Sequence, residues 1–285
     1  MPITLNRVSY AYAAGTPYAV DALRDVSLQI ADGEFVGIMG KTGCGKSTLI
    51  QLIAGLLAPT SGTVLLDGQD INDRRYDRRL LRRRIGVVFQ YPEYQLFETT
   101  VARDVSFGLR RLGKRPEEIE TAVQRALETV GFDYDAVKDL SPLGFSGGEK
   151  RRIAIAGILA ANPGILILDE PIAGLDPLTR DEFLALVDRL NRDGMTVLMI
   201  SHSADALAEH AKRILILKDG QLLRDGPARV VFSEYGFLHE NGLSAGEVRE
   251  TAELLRQRGF GVPADTIRYD ELLIHLISMG RGLLP

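Results

Sequence analysis

Cysteine is almost missing from this chain. Among 285 residues only Cys44 occurs, which excludes an intramolecular disulfide and a cysteine-rich zinc site and fits a reducing cytosol. Basic charge is not in excess. Lys and Arg total 34 against 38 Asp and Glu, a net charge of −4, and that balance argues against a chain whose main business is wrapping nucleic acid. Long apolar runs are also lacking. The longest charge-free window, 47–66, holds Ser, Thr and Gln and breaks at Pro59-Thr60-Ser61-Gly62. A transmembrane helix needs roughly 20 mostly apolar residues, so the chain is expected to span no membrane by itself, though free to sit on a membrane partner. The opening MPITLNRVSYAY alternates like a strand and lacks the basic-then-apolar layout of a signal peptide. No internal repeat or low-complexity segment is visible.

What is present is an ordinary globular balance, 45% apolar and 25% charged, in a chain long enough for a large core and one or two domains. Short apolar runs at 34–39 (EFVGIM), 84–89 (RIGVVF), 164–168 (GILIL) and 196–200 (TVLMI) predict strands. The last two do not alternate, as befits parallel strands covered on both faces. Helical patterns lie between them at 46–57, 116–130, 147–161 and 177–192. This alternation gives an α/β core with a parallel sheet. Residues 1–33 and 63–67 predict antiparallel strands on one side, residues 98–161 a helical subdomain, and 215–223 a hairpin turning at Asp219-Gly220. After Pro227 the pattern changes. Ser244-Ala245-Gly246-Glu247 has the form of a capping box, Val248, Ala252 and Leu255 follow at helical spacing, and Gly259 stops the helix. A last helix, 270–279, is too apolar to be left in water, so it is core or an oligomer contact.

Gly40-Lys41-Thr42-Gly43-Cys44-Gly45-Lys46-Ser47 fits the phosphate-loop pattern GxxxxGK[ST]. Its glycines let successive N–H groups turn inward around an anion, and the helix that follows adds its positive end. In such a loop the lysine, here Lys46, reaches the β- and γ-phosphates and the hydroxyl, here Ser47, ligates Mg²⁺. Asp169-Glu170 closes an apolar strand: the first carboxylate is suited to hold Mg²⁺ through water, the second to orient or deprotonate a water. Gln90 and His202 also follow apolar strands, so these polar groups converge at strand ends, where ligands bind in an open α/β sheet. Ser146-Gly147-Gly148-Glu149 is itself a capping box. Two glycines in its first helical positions cost up to about 1 kcal/mol each against alanine, which a purely structural cap would not choose. They leave bare amides for a phosphate. Since one nucleotide already has its loop, this second anion site is expected to serve a nucleotide held by another subunit.

Together these segments resemble the ATP-binding-cassette (ABC) ATPases: GKTGCGKS as Walker A, VVFQ as the Q-loop, FSGGE as the signature, ILILDEP as Walker B, AGLDP as the D-loop and SHS as the switch histidine. QYPEYQLF, SPLGFSGGEKRRIAIAGILA and the C-terminal extension resemble the ATPases of energy-coupling factor (ECF) transporters, and QYPEYQLF is similar to the second of their two paralogous ATPases. The likeness covers residues 3–279. It implies a P-loop NTPase core with an antiparallel β-subdomain, a helical subdomain and a C-terminal helical extension. Residues 1–227 would be the ATPase domain and 228–285 a dimerisation extension.

By the same resemblance, ATP is held by Gly40, Lys41, Thr42, Gly43, Cys44, Gly45, Lys46, Ser47 and Thr48, with Tyr12 stacking on adenine. Ser146, Gly147 and Gly148 bind the partner's ATP, and Asp176 crosses the dimer interface. Ser47, Gln90 and Asp169 serve Mg²⁺; Glu170 is the general base, with His202, Gln90 and Lys46 as its catalytic companions. The implied function is ATP hydrolysis driving uptake of a vitamin or transition-metal ion. The implied partners are a paralogous ATPase (or a second copy), a membrane scaffold docking through coupling helices and a small substrate-binding membrane protein, with no nucleic acid. The implied location is peripheral, on the cytoplasmic face of the cell membrane. Phe145, Glu149 and Ile172 depart from the usual Leu, Gln and Thr.

Competing readings are the ATPase of another ABC transporter type, a soluble ABC protein acting on ribosomes or DNA, and a P-loop kinase, which the SGGE helix start disfavours. The arginine run 74–84 (RRYDRRLLRRR) is read as a solvated helix with Leu80 and Leu81 inward, ahead of binding to nucleic acid or anionic lipid. In 91–97 (YPEYQLF) Pro92 bars a regular helix. Its large side chains are expected to face the scaffold, with Glu93 meeting a basic helix, and Cys44 is expected to be a reactive thiol.

Overall fold

The computed structural model describes residues 2–281. Strands β1 (Ile3–Tyr12), β2 (Val20–Ile30), β4 (Ser61–Leu66) and β5 (Gln69–Asp70) form an antiparallel sheet in the order β2-β1-β4-β5. The second sheet holds β3 (Phe35–Met39), β6 (Ile85–Val88), β7 (Ile165–Asp169), β8 (Thr196–Ile200), β9 (Arg213–Lys218) and β10 (Gln221–Pro227), in the order β10-β9-β3-β8-β7-β6. Its pairings are parallel except for the β9–β10 hairpin. That hairpin turns through Asp219 and Gly220, both at positive φ (49° and 79°), the conformation a two-residue type I′ turn demands.

The uninterrupted apolar strands are explained by two cores. Strand side chains alternate between faces, so Ile165, Ile167, Leu198 and Ile200 enter one cluster while Leu166, Leu168, Val197 and Met199 enter the other. The first cluster lies between the parallel sheet, helix α1 (Lys46–Ile53) and the antiparallel sheet. The second is covered by α3 (Val101–Arg111), α4 (Pro116–Thr129), α5 (Tyr134–Val137), α6 (Gly147–Leu159), α7 (Pro177–Arg192) and α8 (Ala204–His210). No strand occurs between 98 and 161. The arginine run forms α2 (Arg78–Arg84), with Leu81 buried, Leu80 half-buried and Arg78, Arg79, Arg82 and Arg83 exposed.

Beyond β10 come α9 (Ala228–Ser233), α10 (Tyr235–Glu240), α11 (Glu247–Gln257) and α12 (Tyr269–Arg281). Packing is continuous across residue 227: Ala228, Val231, Phe232, Leu238 and Ala245 belong to the second cassette core. A separate small core of Ala252, Val262 and Leu272 starts only with α11. The expected Ser244–Glu247 capping box is not formed. Gly246 occupies the cap without a side chain, and Ser244 Oγ bonds Glu250 instead. On α12 Leu272 is core, while Ile274 and Ile277 are exposed. Among the described residues no helix is long and apolar enough to cross a membrane.

Candidate functional site

Four neighbouring strands, β3, β8, β7 and β6, deliver their carboxyl ends to one rim of the sheet. There the phosphate loop follows β3, Gln90 follows β6, Glu170 follows β7 and His202 follows β8. A cleft of about 810 Å³ opens over this rim. It is lined by Tyr12, Thr42, Gly43, Gly45, Lys46, Ser47, Thr48, Gln90, Asp169, Glu170 and His202, which brings together most of the residues singled out in the sequence. Gly40, Lys41 and Cys44 do not line it.

The loop's shape is set by its glycines. Gly45 caps α1 at φ 106°, and a Cβ there would lie 2.5 Å from the Ala22 carbonyl oxygen. Gly40, at φ 149°, would place one 2.4 Å from the Leu217 carbonyl oxygen. Neither backbone atom can yield, so both positions need glycine. No side chain caps α1, which leaves its first amides for an anion. Lys46 is buried, and its Nζ donates to the carbonyls of Gly40 (2.6 Å) and Lys41 (3.1 Å), spanning the loop from inside.

Glu170 is held in a strained backbone conformation, φ 50°, a kind of strain concentrated at functional sites. Its Oε2 accepts from the His202 backbone N–H at 3.2 Å. Its Oε1 is buried without a hydrogen bond, 3.5 Å from His202 Nε2. Burial raises the Glu170 carboxyl, the Asp169 charge adds to this, and the His202 ring opposes it. Asp169 is also raised by burial, against the Ser47 hydroxyl and Lys46. Tyr12 stands at the mouth, 42% exposed, its hydroxyl 3.1 Å from Thr48 Oγ1 and its ring edge-on to Tyr10 at 4.9 Å.

The ABC transporter family model matches residues 23–173. A protein of Symbiobacterium thermophilum named energy-coupling factor transporter ATP-binding protein EcfA2 is 51% identical over 284 residues, 100% of this chain and 97% of that protein. The chain belongs to the ABC transporter family. Within it, this ATPase is an ATP-binding subunit of the energy-coupling factor type. Among solved structures it is similar to cbiO1 from Clostridium perfringens, described as part of the ABC transporter complex cbiONQ (TM-score 0.74, 34% identity, 89% of this chain and 98% of that one). A dimeric cassette, MJ0796, described as a post-hydrolysis state bound to ADP and Pi, is also similar (TM-score 0.69, 33% identity, 79% of this chain and 98% of that one). The ribosome, DNA and kinase readings give way to these findings.

The signature start of this ABC ATPase lies outside its own cleft. Ser146 and Glu149 form the expected capping box: Ser146 N donates to Glu149 Oε2 at 2.9 Å and Glu149 N to Ser146 Oγ at 3.4 Å. A Cβ at Gly147 would meet nothing within 4 Å, and one at Gly148 would lie 3.0 Å from Thr179 Cγ2. Nothing among the described residues requires a glycine at Gly147. Of the departures from the family pattern, Phe145 packs edge-on to Phe132 at 5.8 Å, Glu149 completes the box and Ile172 is buried in the core.

The structure corrects the expectations for Cys44, Leu96 and Glu93. Cys44 is only 6% exposed and burial raises its thiol, so it is shielded and lacks the lowered pKa of a reactive cysteine. Pro92–Gln95 is a 3₁₀ turn, with Pro92 at its first position and buried. Pro92 and Leu96 face inward while Tyr94 (84%) and Phe97 (63%) remain exposed. Glu93 is not free for a partner. Its carboxylate accepts two bonds from Arg151, at 2.9 and 2.8 Å, and these overcome the effect of burial to hold it below the usual carboxylate range.

Arg151, buried on α6, also donates through Nη1 to the carbonyls of Pro171 (2.9 Å) and Ala173 (3.1 Å). It thus joins the segment after Gln90, the signature helix and the turn after Glu170. Nothing local in the sequence marks Arg151, because its partners lie 20 to 58 positions away along the chain. Asp176 caps α7, taking bonds from Thr179 N (3.1 Å) and Thr179 Oγ1 (2.6 Å).

Proposed function

We propose that this chain powers import of a vitamin or transition-metal ion, paired with a second and paralogous cassette on the cytoplasmic face of the membrane. The observation that carries the pairing is the separation of two half-sites. The cleft holds a phosphate loop, a magnesium-side carboxylate, a base and a histidine, while the chain's own signature start lies outside the cleft lining, with a glycine, Gly147, that no contact among the described residues explains. Two cassettes facing each other head to tail complete both sites.

The residues fit Mg²⁺. Ser47 and Asp169 lie together at the cleft floor, and no cluster of three or more His, Cys, Asp or Glu occurs among the described residues. That is the sparse protein contribution expected of an ion held mostly by phosphate and water. Mg²⁺ held by Ser47 and Asp169 would supply neutralisation of phosphate charge. Lys46 exchanges its two carbonyl partners for phosphate oxygens, whose full charge makes stronger bonds. Tyr12 covers the adenine. Glu170, with Oε1 unpartnered and its proton affinity raised by burial, takes up the proton of the attacking water. His202 contacts the γ-phosphate, and Gln90 links that site to the helical subdomain.

Residues 1–227 carry the ATP chemistry. The exposed apolar face of α12, including Ile274 and Ile277, joins the partner cassette, and Tyr94 and Phe97 contact the membrane scaffold. Affinity purification of the full chain from native membranes tests the reading. A membrane scaffold, a small substrate-binding protein and a second cassette are expected together. Recovery of the chain alone or only with itself overturns the paralogue assignment. Recovery without membrane subunits overturns the import role.

A further inference from the structure

The C-terminal extension touches the catalytic rim from behind in two places. Lys41, although in the phosphate loop, turns away from the cleft and lies over Gly242, where a Cβ would sit 2.5 Å from its Nζ. Beside it, Lys218 Nζ donates to Asn241 Oδ1 at 3.0 Å. The second place is α8, which begins two residues after His202. Ser203 caps that helix. Asp205, in its first turn, is left free to reach out, and its two oxygens accept from the backbone N–H groups of Glu247 (2.8 Å) and Val248 (3.1 Å) at the start of α11. Asp205 is thus the cap that α11 does not supply for itself. Gly246 makes room for it: at φ 94°, a Cβ there would lie 2.6 Å from Asp205 Oδ1. At the far end of α8, Arg268 Nη2 donates to the Glu209 carbonyl at 3.1 Å.

A helix of seven residues is too short to hold its own orientation and takes it from what it packs against. Leu207 and Ala211 seat α8 on β3 in the cassette core, and the extension, which grips α8 at both ends and rests on the phosphate loop, adds a second restraint on the distance between the two. The bond from Asp205 is charge-assisted and meets the positive end of α11. His202 sits on the loop just before α8 with its ring 61% exposed, and its backbone N–H is already committed to Glu170.

We propose that Asp205 is a positioning residue for ATP hydrolysis. Through its bond to the N-terminus of α11 it holds α8, and with it His202, in register with the phosphate loop. The extension is then part of the catalytic geometry as well as an assembly surface. This rests on the reading of His202 as the γ-phosphate contact. Misplacing a catalytic group by about 1 Å can cost about 10²-fold in rate.

The test uses the full chain assembled with the subunits that purify with it. Asp205→Ala and Gly246→Ala break the contact from opposite sides, and Asp205→Asn keeps one carbonyl acceptor. Asp205→Ala and Gly246→Ala should each lower kcat at least tenfold with KM and ATP affinity within twofold, and Asp205→Asn should recover much of the loss. In a His202→Ala background, Asp205→Ala should cause no further fall. Wild-type turnover in Asp205→Ala beside an impaired His202→Ala overturns the proposal. So does a loss that lies in KM or that adds fully to His202→Ala. Wild-type turnover in His202→Ala itself overturns the reading of the histidine instead. Should Asp205→Ala not fold, the other two variants decide: wild-type turnover in both overturns the proposal.

Discussion

Helix α1 follows a capping Gly45 and helix α6 opens with Gly147 and Gly148, yet the chain treats the two starts differently. At α1 no side chain caps the helix, Lys46 is buried across the loop, and the neighbouring carboxylates Asp169 and Glu170 are raised by burial. At α6 Ser146 and Glu149 cap each other, and Glu149 and Glu93 are both held below the usual range, by Ser146 and by Arg151. The first is a desolvated site poised to gain from a charged ligand. The second is satisfied on its own and waits at the surface. In the proposed function a cassette holds one prepared half-site and one rigid offer, and ATP brings the two ends of different subunits together.

The largest expected effect lies at the prepared end. Glu170→Gln keeps the shape and removes the base, so turnover should fall about 10²–10⁴-fold, with ATP affinity retained and the nucleotide-bound dimer stabilised. Phosphate-release assays and light scattering check this, and unchanged release would remove Glu170 from the role. Next comes the brace that joins the two ends. Arg151→Ala strands the part-buried Glu93 carboxylate and two carbonyls, and breaking a fully buried pair costs about 3–5 kcal/mol, which sets the upper end of the expected loss. Denaturant unfolding of the isolated chain measures it, and a loss under about 1 kcal/mol would mean that the α6 start is held by its cap alone.

Gly147→Val probes the offered end directly. A Cβ there meets nothing within 4 Å among the described residues, so melting temperature and per-chain ATP affinity should stay close to wild type while turnover falls tenfold or more. Equal turnover would leave α6 without a nucleotide role. The smallest effect separates the two ends by pH. Asp169 and Glu170 have folded pKa values above their unfolded ones. Their ionisation therefore works against folding, a penalty absent at low pH that grows as pH rises through and past the ordinary carboxylate range of about 4. Glu93 and Glu149 run the other way: their contribution is present above that range and is lost as pH falls through their lowered values. Nucleotide-free Glu170→Gln should accordingly melt above wild type at neutral pH, and the gap should close below about pH 4. Thermal melts across pH 3–8 read it, and a gap that widens on acidification would contradict the raised Glu170.

Much of this was legible along the chain because it is written in neighbours. The phosphate loop, the Ser146–Glu149 cap, the apolar strands and α7, predicted and found at 177–192, are each specified by residues within one or two turns of one another. The β9–β10 turn follows from Asp219-Gly220 for the same reason. Where the reading failed, the deciding partner was remote. Glu93 looked available until Arg151, 58 positions on, took both its oxygens. Cys44 looked activated by its helix, but it is buried in the cassette core, with its carbonyl bonded by Gly220 of the remote β9–β10 turn. Ser244–Glu247 has the spacing of a capping box, yet Asp205, 42 positions away, supplies the cap.

The sequence by itself determined which atoms can handle phosphate, because N–H groups, a lysine and a hydroxyl at fixed spacing act through local backbone geometry. Only the tertiary structure decided which of those groups are spare. Whether Glu170 Oε1 is left unpartnered, whether Glu93 is engaged and whether Gly147 has an internal purpose depend on what the other strands and helices bring within about 3 Å. Hydrogen bonds and desolvation act over that short range, and no spacing along one chain reports it.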